Sequence, residues 1–185
     1  IDIRYASNNN FIGKRINGYS SSTAIGTKEL ALALQEVQND LEHFGYGMKI
    51  FDAYRPQKAV NHFSRWSTND DVLMKDAFYP NIKKRDLFKE GYLASKSGHS
   101  RGSTIDLTII NIQNKQELDM GTSYDFFGIE SSYNYSGLTN KQKSNRLLLF
   151  SVMKKYGFKP LKNEWWHFIL ENEPFPDTYF NFNVE

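Results

Sequence analysis

The 185-residue sequence contains no cysteine. That absence excludes a disulfide scaffold, a thiol nucleophile and the cysteine-built zinc sites that close fully around a structural ion. Charge of one sign is also missing: 23 Lys and Arg against 21 Asp and Glu leave +2, and the charges are interspersed, so no nucleic-acid partner is expected. No apolar run approaches the roughly 18–20 residues of a membrane span. Nor is there an internal repeat, a low-complexity tract or a Gly/Ser linker, and nothing marks a domain boundary. Residues 1–185 therefore read as one domain. The chain begins at Ile1 and not at Met, as removal of an upstream segment such as a signal peptide would leave it.

What is present is a globular composition, 39% hydrophobic, with an unusual load of rings: 14 Phe and 11 Tyr among 15% aromatics, enough to wall both a core and a cleft. Residues 1–26 read as short strands or ordered loop. Thr27 stands as an N-cap before Leu30, Leu34, Val37, Leu41 and Phe44, whose spacing marks one helical face ended by Gly45 and Gly47. MKIFDAY reads as a strand that stops at Arg55-Pro56, and Pro56 opens a second helix to about Trp66 with Val60 and Phe63 inward. A short helical candidate covers Lys83 to Lys89. Thr139 and Gln142 form a capping-box pattern before a helix with Leu147, Phe150, Val152, Met153 and Tyr156 as its apolar side. Helices interrupting separated strands predict an α+β domain with a small, mostly antiparallel sheet flanked by helices.

The stretch SGHSRGSTIDL places His99 and Asp106 across a glycine-containing bend ahead of a buried strand, and NEWWHF supplies Glu164 and His167 far downstream. His99, Asp106 and His167 are three candidate ligands that could converge on one metal. Catalytic zinc keeps three protein ligands and an open position, so this set predicts an open site that does chemistry. Residues three apart on a straight strand point to opposite faces, so Glu164 is expected on a turn before the strand if it is to share a centre with His167. His43 and His62 lie within helices and are expected to face solvent. In that arrangement Zn²⁺ acidifies water toward neutral pH, Glu164 carries protons as general base, and Arg55, delivered by the end of a strand, neutralises an oxyanion. The predicted reaction class is metal-assisted amide hydrolysis.

Five blocks, DIRYASNNNF, FDAYRP, SGHSRGSTIDLT, LDMGTSYDFF and NEWWHF, in this order and spacing, resemble the VanX-type D-alanyl-D-alanine dipeptidases within the zinc D,D-peptidases. The resemblance runs nearly from Ile1 to the C-terminus. It implies one zinc on His99, Asp106 and His167, Glu164 as general base, Arg55 as the intermediate-stabilising arginine, and Tyr5, Tyr19, Ser97 and Asp125 around the termini of a dipeptide. It also implies a bacterial protein, periplasmic or cytoplasmic, with a small dipeptide as its partner; oligomeric state is left open. The alternatives are a D,D-carboxypeptidase trimming a longer wall peptide, a non-catalytic zinc module, and a domain with a satisfied His–Asp pair and no metal. The second would be expected to have lost Glu164 or Arg55, and both are present; the third is the default reading only without the five blocks.

Overall fold

The computed structural model describes all residues, Ile1–Glu185. Its centre is a four-stranded antiparallel sheet in the order β1-β2-β4-β3, made of Tyr46–Asp52, Thr104–Asn111, Phe158–Leu161 and Glu164–Leu170 for β1, β2, β3 and β4. Helix α1 (Lys28–Glu42) packs on β1, and α4 (Asn140–Lys155) packs on β3 and β4. Helix α2 (Gln57–Ser67) and a short α3 (Lys75–Phe78) lie between β1 and β2 in the chain. The α+β expectation and the antiparallel sheet are both met.

Local chemistry sets the helix ends as the sequence predicts. The Thr27 hydroxyl accepts from the Leu30 amide, and Thr139 with Gln142 closes a reciprocal capping box. Removing that box with Thr139→Ala is expected to cost about 1 kcal/mol, read as a fall of roughly 2–4 °C in the melting temperature of a chain this size.

Three expectations need correction. Helix α1 ends at Glu42, so Phe44 lies beyond it and is 73% exposed; Gly45 at φ +76° takes the left-handed turn that the periodicity alone does not locate. In α4 the buried face runs through Arg146, Leu149, Val152 and Met153, while Leu147 is 63% exposed. A buried arginine disguises the face. Its guanidinium donates to the carbonyls of Met120, Glu130 and Ser132 at 2.7, 2.9 and 2.5 Å, which ties the 120–132 loop to α4. The 83–89 candidate shrinks to a 3-10 turn at Lys84–Asp86. The first 26 residues hold a 3-10 turn at Arg4–Ala6 and a bridge from Tyr19 to Val184, and otherwise form ordered loop. The C-terminal tail returns to the body: the Phe180 amide donates to the Ser100 carbonyl and Phe182 stacks on Tyr54.

Two register irregularities build the site. The β1–β2 ladder shifts by one residue between Ile50 and Asp52, which sets Asp52 directly opposite Asp106. On the other side of β2, Asp106 pairs with His167. Directly paired residues share a face of a sheet, so Asp52, Asp106 and His167 form one row across three strands. The β3–β4 ladder skips from Pro160↔Phe168 to Leu161↔Glu164. Trp165, Trp166 and His167 are passed over, and this bulge re-aims the strand.

Candidate active site

Asp106 lies in β2 between Ile105 and Leu107, both core residues, so strand alternation turns its carboxylate to the opposite side. His99 comes from the 3-10 turn Gly98–Arg101 that feeds β2; the Ser97 side chain caps this turn by accepting from the His99 amide, and Gly102 at φ +82° closes it. One candidate ligand atom each from His99, Asp106 and His167 lies within 4.8 Å of the others, and all three residues are buried. Glu164 is not on a turn ahead of β4 as the spacing requires of a straight strand; it opens β4 itself. The bulge at 165–167 nonetheless brings it to the same side, with Oε2 at 3.7 Å from His167 Nδ1.

The donor set fits a cation. His99 Nδ1 is 2.6 Å from the Ala53 carbonyl, which can only accept, so Nδ1 carries the proton and the Nε2 lone pair faces inward. His99 Nε2 stands 3.3 Å from His167 Nδ1 and 3.2 Å from Asp106 Oδ2. Asp106 Oδ1 is buried without a hydrogen-bond partner although His167 Nδ1 is 3.0 Å away. An orphaned buried carboxylate oxygen is costly unless something else takes its lone pairs. Two imidazoles and one carboxylate with no fourth protein ligand suit an open zinc site.

Electrostatics follow from burial and this crowding. Burial opposes the charge on Asp106, but the two histidines, in their protonated forms, more than offset that and hold its carboxyl far below the usual range; neutral imidazoles leave that role to a bound cation. Burial depresses His167 despite Asp106, keeping its imidazole neutral as a ligand must be. Burial, reinforced by the charges of Asp106 and Asp125, pushes Glu164 well above the ordinary carboxyl range, in the direction a proton carrier near neutral pH needs.

Across residues 1–185 the sequence matches the peptidase family M15, D-Ala-D-Ala dipeptidase. The chain belongs to this family. It is 45% identical over 184 residues to a D-alanyl-D-alanine dipeptidase of Enterococcus faecalis, covering 99% of this chain and 91% of that one. To the corresponding enzyme of Streptomyces coelicolor it is 40% identical over the same shares. Its fold is also that of a zinc-bound mutant of the vancomycin-resistance D,D-pentapeptidase VanY, with a TM-score of 0.50 at 13% identity over 82% of this chain and 76% of that one. The enzyme class is thus zinc metallopeptidase and the reaction is hydrolysis of the D-Ala-D-Ala dipeptide. No helix is long and apolar enough to cross a membrane.

The candidate site residues line a cavity of about 240 Å³, below the ~300–1,000 Å³ of ordinary small-molecule pockets. Arg55, Asp106, Glu164 and His167 open into it together with Tyr5, Ser97 and Asp125. Tyr19 does not line it. That side chain stands behind Asp52, donating to Oδ1 at 2.6 Å. Asp52, fully buried, accepts from Arg55 Nε at 2.9 Å and so aims the guanidinium. Arg55 also lies over the Tyr5 ring at 4.9 Å, and its Nη2 reaches 3.5 Å from Asp106 Oδ2.

Asp125 sits at φ +60°, a left-handed conformation rare outside glycine and tolerated best by Asp and Asn, and its Oδ2 accepts from Tyr5 Oη at 3.0 Å. His43 and His62 take no part. His43 is exposed beyond α1, and half-buried His62 accepts from the Asn17 amide through Nδ1.

Sequence reading missed Asp52 and Tyr124. Tyr124 donates to Asp106 Oδ2 at 3.0 Å and stands 3.2 Å from Tyr5 Oη, which links the Asp106 carboxylate to Asp125 through Tyr5. Asp52 had a signal, a carboxylate three residues before Arg55 at a strand end. Tyr124 had only its neighbour Asp125.

Proposed function

We propose that this protein cleaves D-Ala-D-Ala at the His99–Asp106–His167 centre, with Glu164 as general base, Arg55 stabilising the tetrahedral oxyanion, and Asp125 holding the substrate's ammonium. The observation that carries this reading is the meeting of three candidate cation ligands, His99, Asp106 and His167, two of which, Asp106 and His167, open into one small cavity together with Glu164 and the half-buried guanidinium of Arg55. Zinc, when bound, acts as a Lewis acid that makes water a nucleophile near neutral pH. Glu164 takes a proton from the attacking water and delivers it to the leaving amine nitrogen as the amide C–N bond breaks. Arg55, fixed by Asp52 and by the faces of Tyr5 and Phe63, donates to the oxygen on which negative charge develops. Hydrolysis with chelator and with restored Zn²⁺ tests this: chelation should abolish turnover and lower the melting temperature, since an ion bound only by the folded state stabilises it by mass action.

Asp125 supplies a filter for a free amino end. In a buried pocket its carboxylate pairs with an ammonium, whereas an N-acylated or longer peptide would present a neutral amide and leave the charge unpaired. Asp125→Ala is therefore expected to lose discrimination between D-Ala-D-Ala and its N-acetyl form; unchanged selectivity would refute the filter.

The same carboxyl predicts a pH dependence. Burial, with Asp106 nearby and Arg55 opposing, pushes Asp125 well above its ordinary range, so below that raised value the ammonium must displace a proton in order to bind. KM for the dipeptide should fall as pH rises from the ordinary carboxyl range toward the raised value. In Asp125→Ala, KM should be flat across that interval.

A further inference from the structure

Tyr92 belongs to two cavities at once. It lines the catalytic pocket and also a second, more open cavity of about 490 Å³ that the mechanism does not use. Its ring tilts against Phe127 with centroids 5.5 Å apart. The hydroxyl is raised by burial and by the charges of Glu164, on the catalytic side, and of Glu130 and Glu90, both on the outer side. One stretch of chain forms a wall common to both spaces: Asp125 and Phe127 face the catalytic cavity, and Gly128, Ile129 and Glu130 face the outer one. Tyr92 is the one residue that lines both spaces, and the 125–130 stretch runs from one to the other.

We propose that Tyr92 fixes the length of the substrate. Its ring closes the space beyond the dipeptide's amino terminus, and the outer cavity is a latent site for the preceding residue of a longer peptide ending in D-Ala-D-Ala. The proposal rests on Asp125 meeting the ammonium. Asp125 then decides charge and Tyr92 decides reach. With the ring removed the chemistry is the same: X-D-Ala-D-Ala and water give X-D-Ala and D-Ala, one amide C–N bond breaking, one C–O bond forming and a water proton passing to the leaving amine. The outer cavity carries Asp86, Glu90 and Glu130 against Lys83, so a lysine at X is the suitable probe.

The test compares Asp125→Ala, Asp125→Ala/Tyr92→Ala and Asp125→Ala/Tyr92→Phe on D-Ala-D-Ala, its N-acetyl form, Lys-D-Ala-D-Ala and D-Ala-D-Ala-Lys, with zinc content and melting temperature checked for each protein. The Asp125→Ala background is needed because the carboxylate otherwise penalises a neutral amide whether or not the ring is present. Removing the ring should raise the tripeptide-to-dipeptide ratio of kcat/KM at least tenfold over that background, chiefly through KM for the tripeptide. Tyr92→Phe keeps the ring and should keep the background ratio. An unchanged ratio in a Tyr92→Ala protein that retains zinc and its melting temperature overturns the proposal, and so does a gain confined to D-Ala-D-Ala-Lys, which is extended at the other end. Tyr92→Leu takes the place of Tyr92→Ala if the smaller side chain unfolds the protein. Failure of the Asp125 reading is separate and visible, because Asp125→Ala alone would then leave the N-acetyl discrimination intact. In that case Tyr92→Ala in the parent sequence reports on the ring.

Discussion

Glu164→Gln should lower kcat by about 10²–10⁴-fold, the usual contribution of a positioned acid–base group, with no loss of bound zinc. The amide keeps the side chain's size and can still face the cavity, but it cannot take a proton from water or return one to the leaving amine. Zinc content should hold because Glu164 lies outside the set of three atoms within 4.8 Å. A parallel loss of metal and activity would instead make Glu164 a ligand. Stability moves the other way. Burial and two neighbouring carboxylates raise Glu164 in the folded state, so the folded apoprotein binds this proton more tightly than the unfolded chain does. The group's contribution to stability is then fully present below the unfolded value and is lost as pH rises through the raised one. At neutral pH the Gln variant of the apoprotein should melt at or above the parent, and its stability should vary less with pH. A catalytic loss joined to a gain in stability is the signature of a group held in an unfavourable state for its chemistry.

Arg55→Ala should damage both turnover and stability, through two effects with different readouts. Loss of one donor to a developing oxyanion costs about 3–4 kcal/mol, or roughly 10²–10³ in kcat. The same change strands Asp52, which is fully buried and keeps only Tyr19 as a hydrogen-bond donor, His99 Nδ1 being 3.6 Å away and already bonded to the Ala53 carbonyl. Breaking a buried pair by removing one partner costs about 3–5 kcal/mol, so the melting temperature should also fall. Asp52→Asn added to Arg55→Ala removes the stranded charge and should recover much of the melting temperature while leaving kcat low. Recovery of activity by that double variant would show that Arg55 acts through stability alone.

The separability of these two effects reflects how much of the protein could be read along the chain. Histidine, aspartate and glutamate types, their order and the absence of cysteine allowed an open zinc centre, and the five blocks that resemble the zinc D,D-peptidases chose it over a metal-free His–Asp pair. The helix caps were legible too, because a hydroxyl reaching an amide three residues on is a local matter. Phe44 and Leu147 were misjudged because periodicity reports what repeats, not where a left-handed glycine breaks the helix or where a buried arginine replaces a leucine on the inner face. Tyr19 belongs to the same class: its neighbour Asp52 arrives from a strand 33 residues away.

The linear sequence by itself determined the chemical inventory: two histidines and an aspartate able to bind a cation, a further glutamate, an arginine, and rings to wall a cavity. The tertiary structure decided which of these meet. A one-residue shift in the β1–β2 ladder put Asp52 opposite Asp106, and a three-residue skip in the β3–β4 ladder turned Glu164 to the side of His167. Strand alternation assigns a residue to a face only while pairing is regular, so the two irregularities that assemble the site lie beyond any pattern of spacing.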